Sequence, residues 1–143
     1  MNVMDIKQAS QQWQDLLSSD EVLSDSAGLV LMGSQYVGQW GIRSEDRAQA
    51  LIESGDIHET YDAEAYQQRL TKVLDGVSDE IQLHQQLRYF RQREMVRIIW
   101  RDLAGWADLA EIVRDLSALA DACIQQTLAI LHRWQCDDLG VPC

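Results

Sequence analysis

Apolar residues recur at helical spacing from the start of the chain. Val3, Ile6, Ala9, Trp13, Leu16 and Leu17 put one stripe on residues 3–18 and predict an amphipathic helix. Between Asp20 and Arg43 the pattern blurs, because Gly28, Gly33, Gly38 and Gly41 interrupt it. Leu29-Val30-Leu31-Met32 could form a short strand, but no second β-like run lies nearby to pair with it, so two short helices joined by turns are expected. Ser44-Glu45-Asp46 opens a further helix with a capping residue and two acids in its first turn, and Gly55 closes it near Ser54. Another helix is expected from about Asp62 to Asp75, with Gly76 at its close.

Two long helices complete the reading. Ser78-Asp79-Glu80 caps a segment running through Leu103, ended by Gly105. Asp108-Leu109-Ala110-Glu111 has capping-box spacing with Asp as the cap. Behind it Leu109, Ile112, Leu116, Leu119, Cys123, Ile130 and Trp134 recur every three to four residues apart from a polar gap at Gln126. The elements predict an all-α helical bundle, with residues 1–143 as a single helical domain. No internal repeat or low-complexity segment interrupts it, and Ser54–Tyr61 is the one loop of any length.

Composition narrows the class. Pro142 is the only proline in 143 residues, which fits helix interiors better than a turn-rich sandwich or barrel. The net charge of −11 argues against binding a phosphate backbone through the whole surface. Five of the ten arginines nevertheless lie between Arg88 and Arg101, so that residues 84–103 carry +3. Cys123, Cys136 and Cys143 form no C-x-x-C pair, and their odd number argues against a disulfide framework. With no basic leader and no apolar run of bilayer length, a cytoplasmic protein with neither membrane nor nucleic-acid partners is expected.

On a helical wheel of residues 87–103, Tyr89, Val96, Trp100 and Leu103 share one apolar face, and Leu87 and Ile98 another. Phe90, Glu94, Arg97 and Arg101 fall together on a third, which places charge close to protein. Two readings follow, beside that of plain solvated charge. Glu94, Arg97 and Arg101 are candidates for structural ion pairs, Glu94 with Arg97 or the charges with an acid on another helix such as Asp115 or Asp121. Alternatively Arg97 or Arg101 binds a phosphate or nucleotide, since the guanidinium fork suits oxyanions. His58, His84 and His132 are widely separated, and Cys136 beside His132 supplies two ligands at most, so no metal site is expected. Gly-rich phosphate loops and Gly-x-Ser-x-Gly are absent, and the five tryptophans read as core.

The run from Leu87 to Leu103, LRYFRQREMVRIIWRDL, followed by Leu116-Ser117-Ala118-Leu119-Ala120-Asp121, closely resembles the glutamine synthetase adenylyltransferase family. Members carry an L-R-x-F-R-x-R-E-x-x-R-I-x-W-R-D-L stretch and an L-S-x-L-A-D step ahead of a nucleotidyltransferase sheet. Ser34-Gln35-Tyr36-Val37 and Glu53-Ser54-Gly55-Asp56 are similar to further family segments, with Gln35 where the family has an acid. The resemblance covers the chain from about residue 30 onward and implies the amino-terminal helical part of a nucleotidyltransferase-superfamily domain, without the catalytic sheet.

The implied activity is that of a bifunctional enzyme, which uses ATP and Mg²⁺ to attach AMP to a tyrosine of glutamine synthetase and removes it by phosphorolysis. The PII signal protein would control it, and the rest of the enzyme chain would be a direct partner. Its chemistry belongs to a G-S-x-D-x-D segment that these 143 residues lack, and Asp137-Asp138 has no Gly-Ser before it. The chain is therefore expected to be an inactive amino-terminal fragment, with no catalytic residue and no cofactor of its own. An exposed apolar patch is expected, with Trp106, Ile130 and Trp134 as candidates for it and core burial within the bundle as their alternative. The alternative is a free-standing helical module that binds glutamine synthetase or a nitrogen regulator.

Overall fold

The computed structural model describes residues 3–142, with side chains from residue 7 onward. Among the described residues there are seven α-helices and no strand. They are α1 (Val3–Leu16), α2 (Glu21–Gly33), α3 (Gln35–Arg43), α4 (Glu45–Ser54), α5 (Ala65–Leu74), α6 (Glu80–Leu103) and α7 (Leu109–Leu139). A 3-10 turn, Asp56–His58, follows α4. The all-α expectation is met, and Leu29–Met32 lies within α2.

The helix ends follow the capping residues. Asp20 accepts from the Leu23 N–H at 3.0 Å and starts α2. Ser34 serves two helices: its N–H donates to the Val30 carbonyl at 2.9 Å, and its hydroxyl accepts from the Val37 N–H at 3.2 Å. Asp79 and Asp108 accept from Gln82 N–H (2.7 Å) and Glu111 N–H (2.8 Å) at the starts of α6 and α7. Helix α5 begins later than the sequence suggested, because Asp62 spends its carboxylate on a turn with the Glu64 N–H, 3.0 Å away.

The chain divides into two compact units. The first comprises Met1–Thr60 and Gln92–Ile112, the second Tyr61–Arg91 and Val113–Cys143. In the first unit Trp13 is fully buried between Trp40 (ring centroids 6.3 Å apart) and Trp100 (5.2 Å). Leu17, Leu23, Val30, Leu51 and Val96 complete this core. Trp100 donates its indole N–H to the buried Ser26 hydroxyl at 2.8 Å, which in turn donates to the Leu23 carbonyl. Gly41 lies so close to the Trp13 indole that a Cβ there would overlap the ring.

The second unit buries Tyr66, Leu70, Leu83, Phe90, Leu119 and Ala122. Gln126, the polar interruption of α7, donates to the Gln67 main-chain carbonyl (2.8 Å) and side-chain oxygen (2.9 Å) on α5. Of the residues weighed between an exposed patch and the core, Ile130 is buried here, while Trp134 in this unit and Trp106 in the first are half-buried. Ile130 shares the inward face of α7 with Leu119 and Ala122, while the exposed apolar residues of that helix occupy a different arc.

Candidate functional site

Arg93, Arg97 and Arg101 stand four residues apart on α6 and therefore share one face over two turns. They meet the segment between α4 and α5. Gly55, in the left-handed conformation at φ 76°, ends α4 and turns the chain away. The Ser54 hydroxyl fixes the turn by donating to the Leu51 carbonyl at 2.6 Å and accepting from the Asp56 N–H at 3.2 Å. Beyond it a single 3-10 turn and extended chain leave carbonyls without helical partners.

The arginines take up those acceptors. Arg93 donates to the Asp56 carboxylate, to the Ser54 hydroxyl at 3.4 Å, and to the Glu94 carboxylate at 2.8 and 3.1 Å. Arg97, fully buried, donates Nε–H to the Asp56 carbonyl at 2.9 Å and Nη2–H to the Glu59 carbonyl. Arg101 donates to the Ile57 carbonyl (3.0 Å), the Thr60 hydroxyl (3.2 Å) and the Glu111 carboxylate (3.1 and 3.4 Å). Three guanidinium groups thus lie among three carboxylates, Asp56, Glu94 and Glu111, with Glu94 fully buried. Such charges survive out of water only when paired and hydrogen-bonded.

Of the residues singled out from the sequence, Glu94, Arg97 and Arg101 are all brought into this cluster. Asp115 is buried and Asp121 exposed, both in the second unit. Arg93, Asp56 and Glu111 were missed as members. Arg93 was detectable as the residue one turn before Arg97, whereas nothing local marks Glu111 as a partner of Arg101.

His58 extends the site. Its Nε2 lies 2.9 Å from the Asp20 carboxylate and its ring stacks on Trp106, centroids 5.5 Å apart. Burial by itself would raise the Asp20 pKa, but the hydrogen bonds from His58 and the Leu23 N–H, with the nearby imidazole charge, hold it below its usual value. The remaining histidines lie elsewhere. His84 is exposed on α6, and His132 Nε2 is 3.6 Å from Cys136 Sγ. Among the described residues no group of three His, Cys, Asp or Glu is placed to hold a metal ion, and no helix is long and apolar enough to cross a membrane.

An all-α unit whose α6 arginines grip a Glu-Ser-Gly-Asp turn is the setting in which known proteins can be compared. The model of the glutamate-ammonia ligase adenylyltransferase family matches residues 25–143, and the chain belongs to that family. The bifunctional glutamine synthetase adenylyltransferase/adenylyl-removing enzyme of Nitrosococcus oceani is 46% identical over 114 residues, 80% of this chain and 12% of the relative. The enzymes of the same name from Pseudomonas aeruginosa and Thioalkalivibrio sulfidiphilus are 41% identical over 113 residues and 39% over 103. Those alignments cover 79% and 72% of this chain, but 12% and 11% of the relatives. The chain thus spans about one eighth of the length of the curated relatives it matches. No solved structure matches it.

Proposed function

We propose that the chain forms the amino-terminal helical portion of a bifunctional glutamine synthetase adenylyltransferase/adenylyl-removing enzyme. In this reading the longer enzyme transfers AMP from ATP to a tyrosine of glutamine synthetase and removes it by phosphorolysis in the cytoplasm, under control of the PII protein. The present residues supply helical structure to it. One observation carries the reading: two of the segments that resemble the family, Glu53–Asp56 and the Arg93–Arg101 part of the long run, grip each other.

Arg97 and Arg101 act in this scheme as a clamp rather than as phosphate ligands. An oxyanion at either guanidinium would have to displace the Asp56, Ile57 and Glu59 carbonyls, leaving buried acceptors unmatched. The carboxylates are no better suited to Mg²⁺, since Asp56, Glu94 and Glu111 each accept from an arginine. ATP and Mg²⁺ therefore belong to other parts of the longer enzyme, and no catalytic step runs through this cluster.

A chimera tests the proposal. Residues 25–143 replace the matching segment of the Nitrosococcus oceani enzyme, and labelled AMP is followed onto and off glutamine synthetase. Both activities are expected to persist in the chimera and to be absent from the 143-residue chain. A folded chimera without either activity, or turnover by the short chain, overturns the reading.

A further inference from the structure

The second unit carries a surface that the clamp does not use. Its part of α7 exposes Val113, Leu116, Ala120, Ile124, Leu128 and Leu131. Their spacing follows the helix repeat closely enough to form one stripe about 27 Å long. Exposure is high for a soluble surface, at 54% for Val113, 59% for Ile124 and 62% for Leu128. Beside the stripe, α6 and α7 form a groove of about 350 Å³ lined by Leu87, Ile124 and Leu128 together with Cys123 and Thr127. That volume suits one or two large apolar side chains.

The rim on the α6 side is basic. His84, Arg88 and Arg91 are exposed at spacings of four and three, so they line one edge, and His84 and Arg91 border the groove itself. On the α7 side Asp121 is the only acid between residues 116 and 136 of a chain whose net charge is −11, while on α6 Glu80 lies one turn before His84. A local basic edge on an acidic protein selects its occupant by charge. A second copy fits less well. The stripe is symmetric about residue 122, but a two-fold helix pair brings the same flank of each helix together, and Arg91 would then face its own copy.

We propose that this groove binds an amphipathic helix of another protein, whose apolar side chains enter over Leu87, Ile124 and Leu128 and whose acidic edge meets Arg88 and Arg91. The mode is helix-in-groove recognition, with apolar anchors giving affinity and the charged edge giving orientation.

The test uses two synthetic 18-residue helical peptides with leucines at three- and four-residue spacing, one with glutamates along an edge and the other with lysines. Each carries a fluorescent label and is titrated with the 143-residue chain by anisotropy. Because the net charge of the chain repels the first peptide and attracts the second, a preference for glutamate has to come from the local edge. The glutamate peptide is expected to bind at least tenfold tighter and to weaken several-fold between low salt and 0.5 M salt, an order-of-magnitude expectation from screening. Arg91→Glu is expected to weaken it about tenfold and Ile124→Asp to abolish it, both exposed positions with folding checked by circular dichroism. Equal affinities, a preference for lysine, or indifference to Arg91→Glu overturns the proposal. So does a chain that sediments as a dimer and becomes monomeric with Ile124→Asp, which makes the second copy the occupant.

Discussion

Arg97 donates its Nε–H to the main-chain carbonyl of Asp56 at 2.9 Å, joining residues 41 apart in sequence inside a fully buried contact. A guanidinium that neutralises main-chain acceptors holds backbone geometry directly, which a side-chain ion pair cannot do. Arg97→Ala is expected to lower stability by about 3–5 kcal/mol, as for other broken buried charge networks. Arg97→Lys restores the charge without the fork and should recover only part of that loss. Urea unfolding of both variants checks the order.

Two glycines should respond in opposite directions to alanine. At Gly41 a Cβ would collide with the Trp13 indole, so Gly41→Ala is expected to cost about 1–3 kcal/mol through overpacking. Gly28, inside α2 with open space around it, should gain roughly 0.5–1 kcal/mol as alanine from helix propensity. Thermal unfolding of the pair measures both.

Asp20 sets an acid limit on the same unit. Its pKa is lowered on folding from the usual 3.8, so the charged form stabilises the fold above that value, and the contribution is lost as pH falls through the lower folded value. Asp20→Asn keeps a capping oxygen but no charge. Below about pH 5 the stability gap between the native chain and this variant should close as the carboxylate is protonated. A gap that widens below that pH contradicts the assignment.

Cys123 is a free thiol whose pKa burial pushes up, with the Arg91 charge opposing the shift. Alkylation by iodoacetamide should be slow at neutral pH and still accelerating above about pH 10, where a thiol with the ordinary value of 9.0 is approaching its plateau. A rate that levels off below about pH 10 rules out the buried environment.

The helices were largely legible because capping residues and glycines mark their ends locally: Asp20, Ser34, Asp79 and Asp108 all sit where a side-chain acceptor is needed. The burial of Glu94, Arg97 and Arg101 was also readable, since the wheel placed them among apolar residues. What they touch was not. Arg97 and Arg101 donate to main-chain carbonyls of a segment some forty residues away, and a carbonyl carries no side-chain signature. Whether Ile130 and Trp134 on α7 face inward or outward stayed open for a related reason. That helix is apolar on two sides, and periodicity alone does not say which side the neighbouring helices cover.

The first unit is discontinuous in sequence: Trp13 and Trp40 close around Trp100, and the 54–60 segment is held by α6. On the ribosome, the opening sixty residues therefore cannot complete their core until the tryptophan forty positions further on has been made. At about 5–20 residues per second that is a wait of roughly 2–8 seconds, during which Trp13, Leu17 and Leu51 remain open to whatever first meets the nascent chain.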